Sequence, residues 1–229
     1  MKPFINRRDA GRRLGTRLAE VLSDKDVVVV GLPRGGVPVA YEVARILLCR
    51  LDVLVVRKVG VPLQPELAMG AIGEGGVLDV EPATAKRFSV TDAQFERVVA
   101  EERAALEERV RLYRESVPAI TLENEAVVIV DDGLATGATA RAACNVARAR
   151  GATRVIVAVP VTSVAAAIRM ERVTDQFVSL VRAEGPFSVG QWYEDFGQTS
   201  DQEVIEDLVN ARNTESESES PKSPQIRDS

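Results

Sequence analysis

The sequence predicts an α/β fold built on an open, mainly parallel sheet flanked by helices. Two observations predict it. Short runs of Val, Ile and Leu alternate with longer segments whose apolar residues recur at helical spacing, and strand, crossover helix, strand in that order gives parallel pairing with right-handed connections. The runs are also nearly continuous in apolar character, as strands covered on both faces require. A length of 229 residues with 45% hydrophobic content suits one such core with peripheral elements.

In chain order, Arg8–Leu22 reads as a helix with Leu14, Leu18, Val21 and Leu22 on one face. Val27–Gly31 (VVVVG) is the first strand, and the turn GLPRGG leads from it into a helix over Val37–Cys49. Asp52–Arg57 (DVLVVR) is the second strand. Ala68–Ile72 and Val77–Val80 flank Gly73-Glu74-Gly75-Gly76, the pattern of a glycine-rich hairpin placed to act as a flap. Asp92–Glu115 is a long charged helix with a narrow stripe of Phe95, Val99, Leu106 and Val110. Ala126–Asp131, Arg154–Pro160 and Phe177–Arg182 complete the strands, with a helix over Thr139–Arg150 between the first two. Ser200-Asp-Gln-Glu203 is a capping box ahead of Val204, Ile205, Leu208 and Val209. Residues 1–212 thus form one domain. Residues 213–229, acidic and serine-rich, are expected to be disordered because they cannot bury enough apolar surface.

Composition removes several function classes. There is no histidine, so Ser-His-Asp and Cys-His nucleophile systems and His-ligated zinc cannot be built. Any general base is a carboxylate, Lys, Tyr or Cys. Cys49 and Cys144 lie in helical patterns and read as small buried hydrophobes of a reducing compartment. A net charge of −5 argues against a broad surface for nucleic-acid backbone, so no DNA partner is expected. No apolar run approaches the roughly 20 residues that span a bilayer, and MKPFINRRDAGRR has no apolar signal-peptide core behind it. A cytoplasmic protein without a membrane partner is expected.

The strongest chemical signal lies in Ala126–Arg150. A hydrophobic strand ends in Asp131 and Asp132, and Gly133-Leu-Ala-Thr-Gly-Ala-Thr139 then leads into a helix. Side chains at the carboxyl end of a parallel strand face the crevice where ligands bind. Glycines allow backbone amides close to an anion, and the helix start adds its partial positive charge. Thr136 and Thr139 can donate to the same phosphate. No Lys follows Gly137, so this is not a nucleoside-triphosphate loop, and GxGxxG is absent. Two adjacent acids beside a phosphate cradle suit a sugar phosphate, whose vicinal hydroxyls they grip while helping to place magnesium.

VVIVDDGLATGAT, Val127–Thr139, closely resembles the signature of the type I phosphoribosyltransferases. The resemblance implies that Asp131 and Asp132 bind the ribose hydroxyls of 5-phosphoribosyl 1-pyrophosphate, and, with Mg2+ as cofactor, hold the metal indirectly through ligand or water. Ala135, Thr136, Gly137, Ala138 and Thr139 would cradle the 5′-phosphate. Arg34, Gly35 and Gly36 fall at the family's pyrophosphate loop. Arg57 and Lys58 match the basic pair that precedes its flexible loop, and these two with Glu74 are the candidate catalytic residues. For Glu74 two readings stand, an acid on the base side or a polar residue at a hairpin tip. Phe187–Phe196 holds four of the ten aromatic residues at the place of the family's small C-terminal hood. There Trp192, Tyr193 or Phe196 either stacks on a base or packs the hood onto the sheet.

The reaction implied is magnesium-dependent displacement of pyrophosphate by a nitrogen acceptor, a nucleobase or similar small molecule. The family's 6-oxopurine enzymes usually carry an acid just before the TG of the signature, where this chain has Ala135, so a 6-oxopurine is disfavoured. A non-catalytic, regulatory protein that senses the same sugar pyrophosphate is the alternative, and an enzyme that hydrolyses the sugar pyrophosphate or uses it with an unfamiliar acceptor is a third. Members are often dimers, which implies a homodimer by analogy.

Overall fold

The computed structural model describes residues 3–23 and 26–219. Helix α1 (Arg7–Val21) begins at Asn6, whose side chain accepts from the Asp9 amide at 3.0 Å, a capping bond that satisfies one of the helix's orphan donors. Strand β1 (Val28–Gly31), helix α2 (Gly36–Leu47) and strand β2 (Arg50–Val53) follow. Next come β3 (Val56–Val61), β4 (Gln64–Gly73), β5 (Val77–Val80), α3 (Pro82–Arg87) and the 23-residue α4 (Asp92–Arg114). The chain then runs through β6 (Ala126–Val130), α5 (Ala138–Ala149), β7 (Arg154–Ser163), α6 (Val164–Met170), β8 (Gln176–Ala183) and α7 (Asp201–Glu219).

The main sheet has the order β2-β1-β6-β7-β8, with every pair parallel. Because side chains alternate across a strand, the central strands β1, β6 and β7 feed two cores. Val29, Leu51, Val128 and Ile156 pack with Leu14 and Leu18 of α1, Val39 and Val43 of α2, and Val204 and Leu208 of α7. Val28, Val127, Ile129 and Val157 pack on the other face with Ala143 and Val146 of α5 and Met170 of α6. From β1 the chain crosses outward to β2, whereas β6, β7 and β8 proceed the other way. The strand order therefore reverses between β1 and β6, and in open α/β sheets ligands bind outside the carboxyl ends at such a point.

Two expectations need correcting, and two short helices are added. The predicted strand Asp52–Arg57 is two strands: β2 ends at Val53, and β3 starts at Val56 in a separate antiparallel sheet of order β3-β4-β5. Leu54 and Val55 carry the chain from one sheet to the other, with the Leu54 amide on Gly31 O at 3.1 Å. Both sides of the crossing are apolar, so hydrophobic pattern cannot mark it. The short helices α3 and α6 had no clear periodicity to announce them. Helix α7 does begin at the expected box, where Ser200 and Glu203 exchange bonds of 2.7 and 3.1 Å. It continues through 213–219, which were expected to lack structure; extending an anchored helix avoids the cost of nucleating one. The rest of that expectation, 220–229, lies outside the described residues. Among the described residues no helix is long and apolar enough to cross a membrane.

Candidate functional site

Strands β1 and β6 deliver two loops to the switch point, and the loops touch. In the first, Leu32 N donates to Val130 O at 2.9 Å and Gly36 N to Leu32 O at 3.0 Å, and the Pro33–Arg34 peptide is cis. A Cβ on Gly35 would lie 2.2 Å from Asp132 Oδ2, and one on Gly36 would lie 2.7 Å from Val130 O. No side chain fits at either position, so these glycines are set by close approach.

The second loop, Asp131–Thr139, is pinned from behind. Leu134 N donates to Val161 O at 2.9 Å and Leu134 O accepts from Ser163 N at 3.0 Å. Ser163 Oγ donates to Ala135 O at 2.9 Å, and Arg169 of α6 donates to Thr136 O at 3.1 and 3.2 Å. In a planar trans peptide the carbonyl and the following N–H point opposite ways. With those carbonyls bound to β7 and α6, the amides of Thr136 and Gly137 point away from them, as an anion cradle needs. Gly137 sits at φ +77° and starts α5, whose first-turn amides, those of Ala138 and Thr139 among them, have no intrahelical acceptors. Thr136 and Thr139 are exposed.

Asp131 and Asp132 are half-buried. Burial, then the neighbouring Asp132 charge, pushes the Asp131 carboxyl well above its ordinary range. Burial also raises Asp132, opposed by the guanidinium of Arg7, whose Nε donates to Asp132 Oδ2 at 2.9 Å. Arg7 Nη1 donates to Gly197 O at 2.6 Å, and its guanidinium lies 4.0 Å from the centre of the Phe196 ring. Nothing in the sequence separates Arg7 from Arg8, Arg12 or Arg13, so pattern reading had no means to find it.

The remaining candidates are more dispersed. Arg34 faces Asp201 at 3.7 Å, and Asp201 also accepts from the Tyr113 hydroxyl. Arg57 pairs with Glu102 of α4; Lys58, its neighbour in β3, points to the opposite face by strand alternation. The two cations are thus not a joint cluster. Glu74 begins the hairpin turn but is 9% exposed. Arg114 binds both its oxygens, at 2.6 and 2.9 Å, and reaches Asp52 Oδ1 at 2.6 Å. Arg114 and the buried Asp52 were not singled out from sequence, because a long ion-pair network has no local spacing.

The C-terminal segment lies over the second loop, with Val189 Cγ1 2.6 Å from where a Cβ of Gly133 would be. Tyr193 is buried, with its ring centre 5.4 Å from Phe4 and 5.0 Å from Phe196, and its hydroxyl donates to Asp132 O at 2.6 Å. Phe4 N donates to Trp192 O at 2.7 Å and Glu194 N to Phe4 O at 2.8 Å. Tyr193 is therefore committed to packing this segment and the N-terminus onto the site, while Phe196 (38% exposed) backs Arg7 and Trp192 remains half-buried.

Among the described residues no three His, Cys, Asp or Glu side chains gather as a metal cage. Two adjacent carboxylates fit Mg2+, which is commonly held by one or two acids together with substrate phosphates and water.

A family model described as a phosphoribosyl transferase domain matches residues 6–190. Two Mycobacterium tuberculosis proteins, from strains CDC 1551 / Oshkosh and ATCC 25618 / H37Rv, each bear the name "Putative phosphoribosyl transferase" and are 50% identical to this chain over 205 residues. The match takes in 90% of this chain and 46% of each relative, so the chain spans about half the length of the curated relatives it matches. The crystal structure of TT1426 from Thermus thermophilus is 43% identical, with a TM-score of 0.84 over 92% of this chain and 99% of that one.

Proposed function

This chain belongs to the phosphoribosyl transferase domain family, and from that premise we propose that it binds 5-phosphoribosyl 1-pyrophosphate at the β1–β6 crevice and transfers the phosphoribosyl group to a nitrogen acceptor. The observation that carries this reading is the contact of the two loops, where Gly35 leaves 2.2 Å between a would-be Cβ and Asp132 Oδ2. A ligand that offers vicinal hydroxyls on one side and a diphosphate on the other spans that junction.

In this reading Asp131 and Asp132 accept from the ribose hydroxyls, and the amides of Ala135–Thr139 with the Thr136 and Thr139 hydroxyls hold the 5′-phosphate. Arg34 and the Gly35 and Gly36 amides hold the pyrophosphate, and Lys58 and Arg57 add positive charge from β3. Asp131 and Asp132 would help to hold Mg2+ through ligand or water, and the metal would supply positive charge against the departing pyrophosphate. The bond from C1 of the ribose to the pyrophosphate oxygen breaks, the acceptor nitrogen bonds to C1, and its proton leaves to solvent. Catalysis then rests on stabilising the departing anion and excluding water; no covalent nucleophile is needed, in keeping with the absence of histidine. With Phe196 backing Arg7 and Tyr193 buried, Trp192 is the aromatic candidate left for an acceptor, and Ala135 in place of an acid disfavours a 6-oxopurine. The domain is taken as 1–212, and the molecule as a cytoplasmic homodimer.

The test is pyrophosphate release from the sugar pyrophosphate with Mg2+, across a panel of nitrogen bases. Release that depends on one base is expected. Tight binding without release under any acceptor would overturn transfer in favour of a sensing role.

A further inference from the structure

We propose that Arg7 is a ligand-binding residue, a cation for the pyrophosphate at the point where it joins the ribose. This rests on the reading that Asp132 holds a ribose hydroxyl and Gly35 lies against the pyrophosphate. The guanidinium is bonded to the first and stands beside the second. Its Nε is 2.9 Å from Asp132 Oδ2 and 3.0 Å from where a Cβ of Gly35 would be. In the ligand the pyrophosphate and a hydroxyl sit on adjacent ribose carbons, so a cation in contact with the acid and the loop faces that junction.

The side chain is also fixed in place. It is 13% exposed, its Nη1 is held by Gly197 O at 2.6 Å, and Phe196 supports its plane from 4.0 Å. A guanidinium has five N–H donors, and Nη2 has no partner among the described residues. Those unspent donors suit an oxyanion, and Arg matches phosphate geometry well. Charge balance points the same way. A diphosphate entering beside two carboxylates needs cations within the crevice, and Arg7 adds one next to Asp132 itself, whereas Arg34 and Arg57 share their charge with Asp201 and Glu102. Pre-organisation of this kind lowers the ordering cost of binding.

The test compares three probes in Mg2+ by calorimetry: 5-phosphoribosyl 1-pyrophosphate, inorganic pyrophosphate and ribose 5-phosphate. Arg7→Gln is expected to weaken the first two about ten- to a hundredfold, the loss of a charge-assisted hydrogen bond, and ribose 5-phosphate by less than about threefold. Arg7→Lys is expected to show a smaller loss confined to the same two probes, and it decides the matter if Arg7→Gln does not fold. Equal weakening of all three probes would overturn the proposal, because Arg7 would then act only by placing Asp132. No weakening would overturn it too. Asp131→Asn/Asp132→Asn separates the premise: if that double variant keeps its affinity for the sugar pyrophosphate, the site reading itself fails, whatever Arg7 does.

Discussion

Asp131 occupies a position that costs stability. Burial and the adjacent Asp132 raise its carboxyl well above the usual range, so the folded state binds a proton more tightly than the unfolded chain does. Such a group contributes stability in acid, fully present below its unfolded pKa, and that stability is lost as pH rises through the raised folded value. Ionising this carboxyl in the folded protein thus costs stability. Asp131→Asn is therefore expected to stabilise the ligand-free protein by about 0.5–2 kcal/mol at pH 7, the usual gain from relieving a functional site. Urea unfolding at pH 7 and pH 4 checks this, with the gain shrinking at the lower pH. At this scale the sequence marks candidates where the residues are consecutive, as in Asp131-Asp132 and Ala135–Thr139. It was silent on Arg7, whose meaning depends on α1 lying beside a loop 125 positions away.

Among the elements, the antiparallel hairpin is held more firmly at its turn than a free flap would be. Arg114, the last residue of α4, joins Glu74 of the turn to Asp52 of β2, and Asp52 is 1% exposed. Asp52 also accepts from the Ile120 amide at 2.9 Å, so one carboxylate ties β2 to the connection that follows α4. Removing the cation strands the buried Asp52 and leaves Glu74 with only the more distant Arg150, at 3.9 Å. Arg114→Ala is expected to cost about 3–5 kcal/mol, the range for breaking a buried ion pair from one side, as read from the urea midpoint at constant m-value. A change under about 1 kcal/mol would show that water, not Arg114, satisfies these acids. The hairpin itself was legible, because Gly73-Glu74-Gly75-Gly76 has few other uses between two apolar runs. The break between β2 and β3 was not, since VLVV reads the same whichever sheet it joins, and the packing of α4 against Arg57 and the hairpin depends on tertiary contacts alone.

For the whole molecule, alternating strands and helices specified the parallel sheet and its two covered faces, and the signature named the family that the family-model match and the relatives then showed. Strand order was not stated from sequence, yet it is what makes the site: β1 and β6 are adjacent although the long stretch of chain from Gly31 to Ala126 separates them. That pairing brings the Arg34–Gly36 loop against Asp132 and closes α1 and the aromatic segment over both. Binding at this junction is the central claim, and it is tested most directly by titrating 5-phosphoribosyl 1-pyrophosphate with Mg2+ into the protein and into Asp131→Asn/Asp132→Asn. The predicted result is saturable binding with one site per chain, weakened at least about a hundredfold in the double variant, as expected when two charged acceptors are lost, while its unfolding transition stays cooperative. Equal affinity in a folded double variant would contradict the claim.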